Sequence, residues 1–469
     1  MASALPRPRQ RPAPSASRLG SARSLARAEL PPGPRLPTAL QTLLFWRSPL
    51  RYLELCRKRY GSRFTLSAAG LPPLVFLSDM QEVKALFAAH PQMLRPGEGG
   101  AAIMPIVGPS SFMLLDGEEH LAGRRALLPS FQSTAVHAHA ELISELARRE
   151  VASWPRDVCM PLHPRLRALT LEIVLHTIFG GGGDQRLALL HERLLAMLSI
   201  TASPLLSLPA LRRGPGSVVW QRFLRRRAEA DELIHALVAE RRPDAGADIL
   251  AKLMLARNAD GTPMSEGQLR DNVMSVILAG HETTASELAW AFQLLAHHPR
   301  VHDRLLAEID ADTGDDYLTA TIHEALRHRP VFLFTIPRAV ACPVEIGDLV
   351  YRPPTQLLGC IYLMHHDRTR YFRPHEFRPE RFLESPAGAD PAAPSERAQA
   401  PAWLPWGGGR KRCPGLHMAT LEMKTVLRTA LSSVSVHAAA RHMERPRWRS
   451  VVVTPHAGSR VILRNRRST

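Results

Sequence analysis

Apolar positions along this chain recur mostly at helical spacing. From Pro49 to Tyr60, Leu50, Tyr52, Leu53, Leu55 and Cys56 line one side of a charged segment, which predicts an amphipathic helix. Two short apolar runs follow, Phe64-Thr65-Leu66 and Leu74-Val75-Phe76-Leu77. The Gly70-Leu71-Pro72-Pro73 turn between them predicts a pair of strands. Several helical patterns fill residues 117 to 256, parted by Pro/Gly clusters such as Arg213-Gly214-Pro215-Gly216. The longest pattern runs from Ser265 to His298. Ser265 and Gln268 form a capping box at its start, and Pro299 stops it. At 1.5 Å per residue it would span about 50 Å, the width of the whole molecule. Upstream, Leu30-Pro31-Pro32-Gly33-Pro34 reads as a rigid hinge where the folded unit begins. Residues Glu384 to Ala402 read as an exposed Pro/Ala/Ser loop, and no internal repeat is visible.

Two segments break these patterns. Within the long helix, Ala279-Gly280-His281-Glu282-Thr283-Thr284 sets a glycine beside two β-branched threonines, all poor helix formers. A Thr283 hydroxyl bonding back to the Ala279 carbonyl would loosen the ladder and bend the helix. Such a notch can hold O2 and water, and a carboxylate beside an alcohol makes a proton relay. His281-Glu282 also begins a zinc-protease pattern, but Ala285 stands where the second histidine ligand belongs.

The second segment is Trp406-Gly407-Gly408-Gly409-Arg410-Lys411-Arg412-Cys413-Pro414-Gly415. It places one cysteine among glycine turns and cations, just before an apolar helical pattern. Backbone N–H groups, cations and the helix N-terminus are expected to favour the thiolate. Only His417 is a further soft ligand nearby, so the site is poor for zinc. One thiolate suits the axial position of a haem iron.

This decapeptide resembles the cysteine-ligand loop of cytochrome P450 monooxygenases, F-x-x-G-x-R-x-C-x-G. Gly409, Cys413 and Gly415 match, while Trp406 replaces Phe and Lys411 replaces Arg. The hexapeptide at Ala279 matches the family's [AG]-G-x-[DE]-T-[TS] signature. Glu324 and Arg327 resemble its E-x-x-R helix, and Arg381 in Phe377-Arg378-Pro379-Glu380-Arg381-Phe382 resembles its partner loop. His120 and Arg124 resemble the propionate-binding helix, and Arg338 follows the E-x-x-R helix at the usual distance. The resemblance covers residues 30 to 465 and is nearest to soluble actinobacterial members, mycobacterial ones included.

That resemblance implies one mostly α domain with a smaller β part over residues 30–469, with a long central helix over haem. It implies Cys413 as the axial ligand of haem b iron and Thr283 with Glu282 as the proton relay to O2. His120, Arg124, Arg338 and Lys411 would hold propionates, and Trp406, Gly407 and Ala279 would lie against the haem. Glu324, Arg327 and Arg381 would be structural. Substrate contacts would come from Gly99 to Phe112, Leu278, Ala279, Val331 to Thr335 and Val453 to Pro455, an apolar set that implies a hydrophobic substrate. The reaction implied is insertion of one oxygen atom from O2. Electrons would come from a ferredoxin and its reductase, ultimately from NAD(P)H. A peroxide-driven peroxygenase or isomerase, or a haem-binding sensor, are the alternatives; the intact Glu282-Thr283 pair speaks against both.

Charge adds a partner. The chain has 469 residues and a net charge of +17, with 60 basic against 43 acidic residues. The basic residues are spread and lack aromatic interleaving, so nucleic-acid binding is not expected. Arg125, Arg410 and Arg412 would instead form a basic face for an acidic ferredoxin. Five cysteines at irregular spacing imply no disulfide framework and fit a reducing compartment. No run approaches the roughly eighteen apolar residues of a membrane span. A monomer in the bacterial cytoplasm is expected. Residues 1–29 read as a basic disordered tail; their Arg/Ala/Ser composition also suits a mitochondrial transit peptide, but Pro6, Pro8, Pro12 and Pro14 interrupt any amphipathic helix.

Overall fold

The computed structural model describes residues 23–24, 30–180, 185–201, 217–241, 248–383 and 403–466. The expected N-terminal tail, the Arg213–Gly216 cluster and the 384–402 loop lie outside these residues, apart from Arg23–Ser24, which pairs in parallel with Leu349–Val350. Among the described residues helices dominate, with four small sheets.

The long pattern forms a helix from Glu266 to His297, here the central helix. Its capping box is complete: Gln268 N donates to Ser265 Oγ (3.3 Å) and Ser265 N donates to Gln268 Oε1 (2.8 Å). Pro299 opens the next helix, Pro299–Ala311, so it marks a corner as well as a stop. The central helix is buried almost all round, as is the Leu162–Phe179 helix that packs along it. Gly280 has its reason here. A Cβ on it would stand 2.8 Å from Val174 of the neighbouring helix, so glycine lets the two backbones close up. The helix assignment continues without a break through 279–284.

The expected Pro49–Tyr60 helix and Leu74–Leu77 strand form as read, and the Phe64–Leu66 strand starts one residue earlier, at Arg63. The two strands pair antiparallel with Phe64 opposite Phe76, their rings stacked 5.3 Å apart. Leu74–Leu77 continues in parallel onto Gln356–Gly359, and the sheet ends with Arg338–Val340 and Leu94–Arg95. The proline-rich hinge lies against this sheet. Thr65 N and Oγ1 donate to Pro32 O and Pro31 O, and a Cβ on Gly33 would stand 1.9 Å from Thr65 O. Among the described residues no helix is long and apolar enough to cross a membrane.

A buried triad joins the late elements. Glu324 and Arg327, on the Asp316–His328 helix, are fully buried and bidentate: Arg327 Nε and Nη2 donate to the two Glu324 oxygens at 2.7 and 2.8 Å. Arg381 Nε and Arg378 N also donate to Glu324, at 3.0 and 2.8 Å. Arg327 Nη1 reaches the His365 carbonyl at 2.8 Å. The triad therefore ties the Asp316–His328 helix to the Arg378–Arg381 segment and to the short Ile361–His365 helix.

Glu422, two turns into the Leu416–Ser433 helix, is buried with one oxygen unpartnered. Burial pushes its pKa from 4.5 up to about 8. The folded state thus holds a proton that the unfolded chain releases, so stability falls as pH rises between those values. Glu422→Gln is expected to raise the melting temperature by roughly a few kelvin near the upper end of that window and by little near its lower end. Parallel thermal melts at the two pH values check this; equal shifts at both would contradict it.

Candidate haem-thiolate site

Gly407 and Gly409 take φ of +66° and +64°, the left-handed region that suits glycine. They fold the loop back so that Cys413 N donates to Trp406 O at 2.9 Å. Gly408 is there for closeness: a Cβ would come 2.4 Å from the Phe87 ring. Phe87 ends the Met80–Ala88 helix, whose N-cap Asp79 accepts from Gln81 N and Glu82 N. The Arg338 guanidinium lies over the same ring, 4.9 Å from its centroid. Phe87 thus connects the cysteine loop to Arg338, and nothing in its sequence context marks it.

The cysteine environment differs from expectation in one respect. Burial is the largest influence on Cys413 and pushes its thiol up; the Gly415 N–H, Arg124 and Arg412 pull it back only in part. The cations do not win without a metal, since desolvation of the sulfur outweighs them.

Four basic side chains gather around this loop. His120 is buried between the Phe112 carbonyl (Nδ1, 2.8 Å) and the Arg410 carbonyl (Nε2, 3.2 Å). Lys411 Nζ donates to Met113 O and Leu115 O at 3.0 and 2.7 Å and lies 3.1 Å from His120 Nδ1. Arg124 Nη1 donates to Arg412 O at 2.6 Å. Arg338 has only long contacts, to Thr335 Oγ1 and Ile336 O at 3.5 and 3.3 Å. Burial lowers the pKa of Arg338 to about 10 and of Lys411 to about 8, with Asp116 opposing in both cases. Burial and then Lys411 lower that of His120. Among the described residues none of Arg124, Arg338 and Lys411 has a carboxylate within ion-pair distance. Arg338 is buried and Arg124 and Lys411 are half-buried, and cations withdrawn from water call for anions. Two propionates beside a single sulfur would meet that need, so these residues fit a haem.

On the central helix, Thr283 Oγ1 donates to Ala279 O at 2.6 Å, as its spacing predicts. Ala279 is exposed and Thr283 half-buried, whereas Leu278 packs into the main core. Of the two expected substrate contacts on this turn, only Ala279 is open. Glu282 points to another side. It accepts from Arg167 Nε at 2.7 Å and Arg449 Nε at 2.9 Å, with His163 Nε2 at 3.5 Å. Burial, then those two arginines, lowers the His163 pKa to about 3, so this histidine is neutral. Sequence reasoning missed Arg167 and Arg449, which come from segments far from Glu282 in the chain.

The loop before His120 is tied to the central helix. Ser110 N donates to Asp271 Oδ2 at 2.9 Å, Phe112 N to Asn272 Oδ1 at 3.1 Å, and Ser111 and Ser275 hydroxyls meet at 2.6 Å. Gly99 lets this region touch the Arg338 strand, for a Cβ there would stand 1.8 Å from Pro337 O. Val453 N donates to Val331 O and Trp290 Nε1 to Val453 O, both at 2.9 Å, which brings the last two expected substrate segments together.

A sequence model described as Cytochrome P450 matches residues 30–462. This chain belongs to the cytochrome P450 family. It is 36% identical over 448 residues to cytochrome P450 135B1 of Mycobacterium tuberculosis, covering 93% of this chain and 91% of that one. It is 34% identical over 419 residues to cytochrome P450 137 of the same organism, covering 88% and 85%. Among solved structures, a retinoic acid-bound cyanobacterial CYP120A1 superposes with a TM-score of 0.78 at 21% identity, covering 93% of this chain and 99% of that one. The haem domain of cytochrome P450DA gives 0.78 at 22%, covering 95% and 99%. These structural neighbours share the P450 fold. As a cytochrome P450, the protein is a haem b-dependent, haem-thiolate monooxygenase.

Proposed function

We propose that this P450 inserts one oxygen atom from O2 into a hydrophobic organic substrate, with electrons delivered one at a time by an acidic ferredoxin and its NAD(P)H-dependent reductase. The observation that carries the site assignment is that buried Arg338 and half-buried Arg124 and Lys411 have no carboxylate at ion-pair distance among the described residues and gather near a single cysteine. Cys413 would supply the thiolate ligand to the haem iron. His120, Arg124, Arg338 and Lys411 would hold the propionates, Lys411 as a point charge in place of a planar fork. Trp406, Gly407 and Ala279 would line the haem site. When bound, the haem iron supplies oxygen activation.

The chain's own groups do the rest. Thr283 presents its hydroxyl oxygen toward the open side of the helix and moves protons to the reacting oxygen. Glu282 would link that hydroxyl to solvent on releasing Arg167 and Arg449, which hold its carboxylate on another side of the helix. Phe332 and Phe334, with the Met104–Phe112 loop, give an apolar wall that selects hydrophobic substrates and keeps bulk water out. Arg125, Arg410 and Arg412 are exposed and make no ion pair among the described residues, which suits an acidic electron donor.

Thr283→Ala is expected to leave haem binding intact while raising the share of consumed O2 released as hydrogen peroxide by severalfold. Oxygen consumption and peroxide yield, measured together in NADH-driven turnover, check this. An unchanged peroxide share would remove Thr283 from the relay.

A further inference from the structure

Glu287 stands one turn beyond Thr283 on the central helix. Ala279, Thr283 and Glu287 form one i, i+4 row. The row runs inward: Ala279 is exposed, Thr283 half-buried, and Glu287 only 2% exposed. Neither Glu287 oxygen has a hydrogen-bond partner, and among the described residues no cation pairs with it. The Val331 N–H is the one neighbouring group that favours its charge, and it falls short of hydrogen-bond geometry. Burial holds its pKa well above the ordinary carboxylate range.

The contrast with Glu282 is direct. That carboxylate is clasped by two arginines, and it sits about 140° around the helix axis from Glu287. A neutral carboxyl has one O–H to give and oxygens that accept, and buried polar groups of this kind are met by protein or by ordered water. Helical side chains lean toward the helix N-terminus, which inclines the Glu287 side chain toward the turn that carries Thr283. Thr283 spends its own proton on Ala279 O, which leaves its oxygen free to accept.

We propose that Glu287 is a positioning residue, a neutral carboxylic acid that holds an ordered water against the Thr283 hydroxyl from the interior side. The water accepts from the Glu287 O–H and donates to Thr283 Oγ1. No net proton leaves Glu287; it fixes the hydroxyl that delivers protons. This rests on the assignment of Thr283 to the relay.

The test uses the full-length haem-loaded protein and the variants Glu287→Gln, Glu287→Leu, Glu287→Met and Thr283→Ala. The first readout needs no turnover. Infrared difference spectra at neutral pH should show the carbonyl stretch of a neutral carboxylic acid that disappears in Glu287→Gln; its absence from the wild type overturns the proposal. The second readout is the peroxide share in NADH-driven turnover with a surrogate [2Fe–2S] ferredoxin and its reductase. Gln keeps a donor and an acceptor and should stay near wild type. Leu and Met fill similar space without them and should raise the share severalfold, toward Thr283→Ala, with no loss of melting temperature. If Leu and Met match the wild type while Thr283→Ala does not, the Glu287 role alone falls. If Thr283→Ala matches the wild type, the relay assignment falls and takes this inference with it. If neither apolar variant folds with haem, the infrared band and the peroxide share of Glu287→Gln decide the matter.

Discussion

Arg327→Ala is expected to abolish accumulation of folded, haem-loaded protein. The substitution strands Glu324, fully buried, with only Arg381 and one backbone N–H of its partners left. It also frees the His365 carbonyl that Arg327 holds. Breaking a buried ion pair from one side costs about 3–5 kcal/mol, against a total stability of about 5–15 kcal/mol. The exposed Arg373–Glu376 pair is the internal control. Its side chains are 63% and 53% exposed, and Arg373→Ala should cost no more than about 1 kcal/mol. Soluble yield and haem content of the two variants, expressed side by side, measure the difference. Comparable yields would mean that the triad is not what fixes the cysteine loop to the core.

Cys413→Ser should leave the fold standing and remove the thiolate signature. The side chain is small, it carries no packing that serine cannot supply, and the Cys413 N–H to Trp406 O bond belongs to the backbone. The change falls on the ligand atom. A serine oxygen is a harder donor than sulfur and lacks the electron push that favours O–O cleavage. The reduced, carbon monoxide-treated wild type should show a strongly red-shifted Soret band. In Cys413→Ser that band should move to the position typical of haem without a thiolate, and NADH-driven product formation should be lost. A red-shifted band that survives would mean that another residue ligates the iron.

Much of this was legible in the chain. The capping box, the Thr283 back-bond to Ala279 and the i, i+3 pairing of Glu324 with Arg327 are local geometries, set by residue type and helical period. Motif order then carried the family, and with it the E-x-x-R link to Arg381 across more than fifty residues. Gly280 stood out as a poor helix former, and only packing shows its close approach to Val174. Phe87 was not noticed at all, because a phenylalanine at a helix end has no local mark that it will touch both Gly408 and Arg338.

The sequence by itself determined the family, the long central helix with its capping box, and the glycine-rich loop that carries Cys413. These rest on short-range rules, where a residue's neighbours in the chain are its neighbours in space. The tertiary structure decided where charge would reside. Burial outweighs nearby cations at Cys413, Arg167 and Arg449 hold the Glu282 carboxylate, and burial with no hydrogen-bond partner among the described residues pushes the Glu287 carboxyl up. Desolvation and pairing depend on groups that packing brings from distant parts of the chain, so no spacing along the chain could show them.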